Sequence, residues 1–130
     1  MRHVNRIELI GNVGRDIEIR TIQGAGDKLA QFTVATTDRW KAKDGQGAKV
    51  ERTEWHRVVV FEKNAVAYVE KYLSKGALVR IVGRSQTRKW TDKDGVDRWT
   101  TEIVVQPFGG EVNILSSPDA ARHDAERGAA

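Results

Sequence analysis

The stretch Thr53–Phe61, TEWHRVVVF, constrains this chain most. A run of β-branched residues with aromatics at both ends predicts an extended strand. Side chains along a strand alternate between its two faces. Trp55, Arg57, Val59 and Phe61 therefore share one face, and His56, Val58 and Val60 share the other. The second is an ordinary half-buried face. The first puts two large aromatics and an arginine where a solvated strand would carry Thr, Lys or Glu. Such a face is either covered by more protein or is a platform for a flat, anionic ligand.

The sequence around it supplies more strands. Val4–Gly11 alternates loosely through Val4, Ile7 and Leu9, then meets Gly11-Asn12-Val13-Gly14, a turn or bulge signal. Asp16–Thr21 sets Ile17 and Ile19 against Glu18 and Arg20. The segment 23–27, QGAGD, reads as a turn. Lys28–Thr37 is a strand with Ala30, Phe32 and Val34 on one face. Residues 41–52 are polar, with Gly45, Gly47 and several basic side chains, and predict a long flexible connection with Trp40 at its root.

One helix is expected, over roughly Glu62–Leu73. Val66, Val69 and Leu73 fall at helical spacing, and Ser74-Lys75-Gly76 ends it with a basic last turn and a glycine. Ala77–Trp90 then predicts a long strand. Asp94-Gly95 is the strongest hairpin signal in the chain, and Trp99–Val105 returns from it. Glu111–Leu115 suits a short closing strand. From Ser116 onward no large apolar residue remains, so the chain divides into a domain over 1–115 and a disordered tail over 116–130.

Strands, one helix and then a hairpin describe a mainly β fold. The order matches a five-stranded OB-fold barrel with the helix between strands 3 and 4 and a long strand 4–5 hairpin. β-Sandwiches and small α+β folds share much of this pattern.

The composition narrows the function. A length of 130 residues suits one domain. A formal charge of +4 and a pI near 9.6 favour an anionic partner. The chain has no cysteine, hence no disulfide framework, thiolate metal site or thiol nucleophile. His3, His56 and His123 are scattered, and no metal site or cofactor is expected. A strand pattern begins almost at residue 1, and no apolar run approaches a membrane span. The expectation is a soluble cytoplasmic protein with no membrane partner.

Aromatics next to basic residues carry the functional reading. Trp40 lies between Arg39 and Lys41, and Trp55 and Phe61 flank Arg57. Trp90 ends the run Arg84-Ser85-Gln86-Thr87-Arg88-Lys89, with Arg84, Arg88 and Trp90 on one face of an unbulged strand, opposite Val79 and Ile81. Single-stranded nucleic acid needs this combination, because bases stack on rings and phosphates are neutralised by Lys and Arg. The competing reading makes the tryptophans core residues. Trp99, in the parity of Ile103 and Val105, is assigned to the core. His56, on the apolar side of its strand, is assigned a structural role. The segment 92–97, DKDGVD, lacks the spacing of a calcium loop and reads as a hairpin. The glycine pairs near residues 11–14 and 24–26 have no Walker lysine or following helix and read as turns. No nucleophile–base pairing marks a catalytic residue, so no enzyme is predicted.

Several separated motifs now agree in order: NRIELIGN at 5–12, Ala35-Thr36-Thr37, TEWHRVVVF at 53–61, YLSKG at 72–76 and TRKWTD at 87–92. Over about residues 4–115 the chain resembles the bacterial single-stranded DNA-binding proteins. The resemblance implies an OB-fold that assembles as a homotetramer. It implies Trp40, Trp55, Phe61 and Trp90 as base-stacking residues. It implies phosphate contacts from Arg57, Arg84, Arg88, Lys89 and Arg98, with Arg20, Lys49 and Lys63 as further contacts, and a subunit contact for His56. The implied role is binding and protecting single-stranded DNA in replication, recombination and repair, in the cytoplasm and with the nucleoid. Members of that family usually end in an acidic, hydrophobic tip that recruits replication and repair proteins. This sequence ends RHDAERGAA, so tail-mediated recruitment is not carried over. The alternatives are an OB-type protein-interaction module of the replication-restart machinery, a small nuclease, and an RNA-binding variant of the main reading.

Overall fold

Two short apolar alternations, Ala30-Phe32-Val34 and Val58-Val60, lie side by side on one antiparallel ladder and line the core. The computed structural model describes residues 3–22, 27–43 and 47–118. The elements are β1 (Ile7–Val13), β2 (Glu18–Thr21), β3 (Lys28–Lys41), β4 (Lys49–Val60), α1 (Lys63–Tyr72), β5 (Leu78–Thr91), β6 (Asp97–Val105) and β7 (Glu111–Ser116). β1 pairs with β3, β3 with β4, β4 with β6, β6 with β5, and β5 again with β1. That circuit is the closed five-stranded barrel expected of the sequence, with α1 between its third and fourth strands. β2 adds to the side of β3, and β7 adds to β5.

The barrel is filled from all its strands. Leu9, Phe32, Val34, Val58, Val60, Val79, Ile81, Ile103 and Val105 are buried together. Val66 and Val69 bring one face of α1 into the same cluster. The helix starts where the Glu62 carboxylate accepts from the Asn64 and Ala65 amides, at 3.0 and 2.7 Å, satisfying two of the amides a helix start leaves orphaned. Leu73 is its C-cap. Tyr68 on α1 accepts a hydrogen bond from the Ile114 amide, tying the helix to β7.

Two hairpin arms leave this barrel. The β3–β4 ladder runs without a break from Ala30 opposite Val60 to Lys41 opposite Lys49. The β5–β6 ladder runs from Arg84 opposite Val104 to Thr91 opposite Asp97. Only the first part of each ladder has core beneath it. A three-residue parallel joint, Val58–Val60 with Ile103–Val105, binds the two at their base. Beyond it no β4–β6 pairing continues.

Four expectations are corrected here. The connection expected over 41–52 is strand at both of its ends, because β3 continues through Trp40 to Lys41 and β4 resumes at Lys49. Backbone pairing across the hairpin holds this segment extended although its side chains have no core to alternate against. Trp99 is 65% exposed and not in the core. It does share the inward parity of Ile103 and Val105, but it lies on the arm, where that face has left the barrel. Gly11 is inside β1 rather than in a turn: here the strand passes from β5 to β3, and a Cβ would stand 2.2 Å from the Ala35 carbonyl oxygen. Val4 precedes β1 and is almost fully exposed. The turn expected at 23–27 falls largely outside the described residues, as does most of the tail expected from 116.

Candidate nucleic-acid interface

Because the β3–β4 register is unbroken, the parity of TEWHRVVVF survives in three dimensions. Val58 and Val60 face the core, while Trp55, Arg57 and Val59 face outward beside Ala35, Thr33 and Gln31. Trp55 is 63% exposed, and its ring lies over Gly14, where a Cβ would meet it at 3.1 Å and Thr33 Oγ1 at 2.3 Å. His56 faces the other way. It is half-buried, and its Nε2 is 2.9 Å from Thr36 Oγ1.

Each arm carries one tryptophan per face. On β3–β4, Trp55 pairs with Ala35 on the outer face, and Trp40 pairs with Val50 on the face of His56. On β5–β6, Trp90 pairs with Arg98 on the outer face, and Trp99 pairs with Lys89 on the inner one. All four rings are more than a third exposed. The Trp90 indole N–H donates to Thr100 Oγ1 at 2.8 Å, which orients that ring across the ladder.

The outer surface between the arms is grooved. One groove of about 220 Å³ is floored by Val59 and Val104 and walled by Phe61, Arg20, Gln31, Gln86, Arg88 and Glu102. An adjoining cleft of about 360 Å³ separates the roots of the arms, between Trp55, His56 and Arg57 on one side and Ser85 and Thr100–Ile103 on the other. Arg57 also borders a depression with Arg20, Arg88, Asp16 and Glu18. Apolar floor, exposed rings and guanidinium groups thus alternate over one continuous surface. Rings of this kind stack flat bases, and cations beside them neutralise phosphate.

The cations differ in how free they are. Arg57, Arg84, Lys49 and Lys63 form no ion pair among the described residues. Arg20 is paired with Glu18 at 2.7 Å, Lys89 with Asp97 at 3.2 Å, and Arg98 with Asp92 at 3.0 Å. The first two of these pairs are solvent-exposed on both sides and worth little, so a phosphate can displace the carboxylate. The Asp92 carboxyl is held below the usual carboxylate range, first by the Val96 amide, then by Arg98 and the Asp94 amide. Arg88 is different, because its partner Glu102 is buried in the wall of both grooves. Arg84 lies outside the grooves, Lys49 stands on the β3–β4 arm opposite Lys41, and Lys63 lines a separate hollow beyond Phe61.

Sequence reasoning missed Glu102, Thr100 and Gly14. Glu102 carries one signal, an acidic residue directly before the apolar run 103–105. Among the described residues no group of His, Asp and Glu could hold a metal ion, and no helix is long and apolar enough to cross a membrane.

Comparison with known proteins places this surface in context. The model of the single-strand binding protein family matches residues 4–115. The chain is 46% identical over 125 residues to the single-stranded DNA-binding protein of Rickettsia felis, covering 96% of this chain and 81% of that one. It is 48% identical over 112 residues to the namesake of Rickettsia prowazekii, covering 86% and 72%. Among solved structures, a Plasmodium falciparum protein of this kind in complex with single-stranded DNA superposes with a TM-score of 0.78. It is 35% identical and covers 89% of this chain and 98% of its own.

Proposed function

The chain belongs to the single-strand binding protein family, and on that premise we propose that it coats and protects single-stranded DNA with little sequence preference. Its setting is DNA replication, recombination and repair. Bases stack on Trp40, Trp55, Phe61 and Trp90. Phosphates meet Arg57, Arg84, Arg88, Lys89 and Arg98, and at the margins Arg20, Lys49 and Lys63. The protein acts by binding, without turnover.

The observation that carries this reading is the outer face of β4. It leaves Trp55, and just past its end Phe61, exposed on either side of Arg57, which forms no ion pair among the described residues. A buried face would have covered those rings, and an ordinary solvated face would not have spent them. Exposed rings and guanidinium groups stack bases and neutralise phosphates whatever the base, so binding by stacking and charge gives low sequence preference. The proposed assembly is a homotetramer with His56 near a subunit contact, working in the cytoplasm with the nucleoid. The division into a binding domain over 1–115 and a tail over 116–130 is part of the same proposal.

A fluorescence titration with poly-dT at two salt concentrations, paired with native mass measurement, tests it. Tryptophan emission should be quenched on binding. The logarithm of the affinity should fall with the logarithm of salt at a slope near ~−0.7 per phosphate neutralised. The native mass should be that of four copies. A protein that leaves poly-dT unbound at low salt does not have this function.

A further inference from the structure

Trp99 is the most exposed of the four tryptophans, yet neither the family resemblance nor the outer grooves assign it a role. Its neighbourhood is specific. Lys89, directly opposite across the ladder, holds its ammonium 5.9 Å from the Trp99 ring centroid and 3.2 Å from Asp97. Two residues inward on the same face, Thr101 lines the cleft shared with Trp55 and Arg57. The cleft between the arm roots therefore leads from the outer platform to the inner face that bears Trp99. Trp40 already lies on the inner face of the opposite arm. A strand that reaches both Trp55 and Trp40 must cross from one arm face to the other, and the second arm offers Trp90 and Trp99 in the same relation.

We propose that Trp99 and Lys89 form a further base-stacking station for single-stranded DNA, on the face of the β5–β6 arm opposite Trp90. The inference rests on the function proposed above. The indole takes a base on the side away from Lys89, and the ammonium exchanges Asp97 for the adjoining phosphate. Charge and continuity favour nucleic acid as the occupant. From residue 84 to residue 98 the arm carries Arg84, Arg88, Lys89, Lys93 and Arg98 against Asp92, Asp94 and Asp97. The surface next to Trp99 is the cleft of the binding platform. A lone exposed indole beside a lysine also suits a base better than a wide apolar interface, which would bring further large apolar residues to this face.

The station lies off the direct outer path, so only a strand long enough to round the arm reaches it. The test uses labelled oligo-dT of roughly 8 and roughly 30 nucleotides, the first within and the second beyond the ~4–16 nucleotides one OB-fold holds. Anisotropy is read with the full chain, its Trp99→Leu and Trp99→Phe variants, and Trp55→Ala as a reference. Trp99→Leu should weaken the long oligonucleotide about 5- to 150-fold, the effect of losing one stack, and leave the short one unchanged. Trp99→Phe should keep most of the long-strand affinity. In the unmodified protein, 5-iodouracil in the long oligonucleotide should photo-crosslink to Trp99, so the proposal is testable even if the leucine variant folds poorly. If the long strand is indifferent to Trp99→Leu and no crosslink forms while Trp55→Ala still weakens binding, this station does not exist and the outer platform stands. If Trp99→Leu lowers the native mass, Trp99 serves a second copy of the chain and the proposal is overturned. Failure of the unmodified protein to bind either oligonucleotide would instead sink the function itself.

Discussion

Arg88 and Glu102 meet across the β5–β6 ladder, the guanidinium Nε donating to a carboxylate that is the one buried charged side chain among the described residues. The pair is asymmetric, because the Arg88 side chain is half exposed while that of Glu102 is 7% exposed. Removing either partner therefore has a different result. Arg88→Ala strands a buried carboxylate and should cost ~1–3 kcal/mol of stability. Glu102→Gln keeps a hydrogen-bond acceptor, frees the arginine charge for phosphate, and should cost less while steepening the salt dependence of DNA binding by up to ~0.7. Denaturant unfolding and salt titration of both variants check the order. Equal destabilisation with an unchanged salt slope would falsify it.

Trp55→Ala should weaken binding to poly-dT by ~1–3 kcal/mol and leave the fold intact. The ring is mostly exposed and rests on Gly14, outside the apolar core. The check is a titration alongside a thermal melt. Loss of the folded state with retained binding would mean that the ring is structural.

Phe32→Ala removes a large side chain that is 1% exposed at the centre of the barrel. It should cost ~3–5 kcal/mol, through lost apolar transfer and the cavity left behind. The measurement is the denaturant midpoint. The contrast with Trp55→Ala separates core aromatics from platform aromatics in one protein.

Asp92 governs the tip of the second arm. Its carboxylate accepts from the Asp94 and Val96 amides at 2.9 and 3.0 Å and from Arg98 at 3.0 Å. These bonds lower its folded pKa below the unfolded value. The tip's stabilisation is then fully present above about pH 4, the ordinary aspartate range, and is lost as pH falls through the lower folded value. Carboxyl and Gly95 amide resonances should show the tip intact at pH 5 to 8, loosening only in stronger acid. Titration of Asp92 at or above the ordinary value contradicts this account.

Much of this was legible in the sequence, for physical reasons that can be named. Val58, Val60, Phe32 and Val34 alternate against a core, and that alternation set the outward face of Trp55 and Arg57. Asp94-Gly95 marked its hairpin because positive φ is needed there, and Gly95 has φ +77°. The arms were harder to read. Past Val34 and His56 no core lies beneath the β3–β4 ladder, so residues 37–53 show no hydrophobic period even though they are largely paired. Trp99 misled for the same reason, since inward parity means burial only where the barrel continues. Glu102 offers only its place before the apolar run 103–105 as a signal, because its burial depends on strands distant in sequence. The placement of the cationic contacts around DNA is an inference from the platform and the resemblance.

The parallel joint between Val58–Val60 and Ile103–Val105 has a consequence for how the molecule comes into being. Every other seam of the barrel is antiparallel, but this one joins strands separated by α1 and the whole of β5. The loop it closes is long, and closing a long loop is slow. The β3–β4 ribbon can form early, yet it stays an open, edge-exposed sheet until β6 has been synthesised and docked. Until then the unpaired β4 edge at Val58–Val60 is a template for wrong pairing with another nascent chain. Three residues of backbone thus decide when the ribbon stops being a hazard to its neighbours.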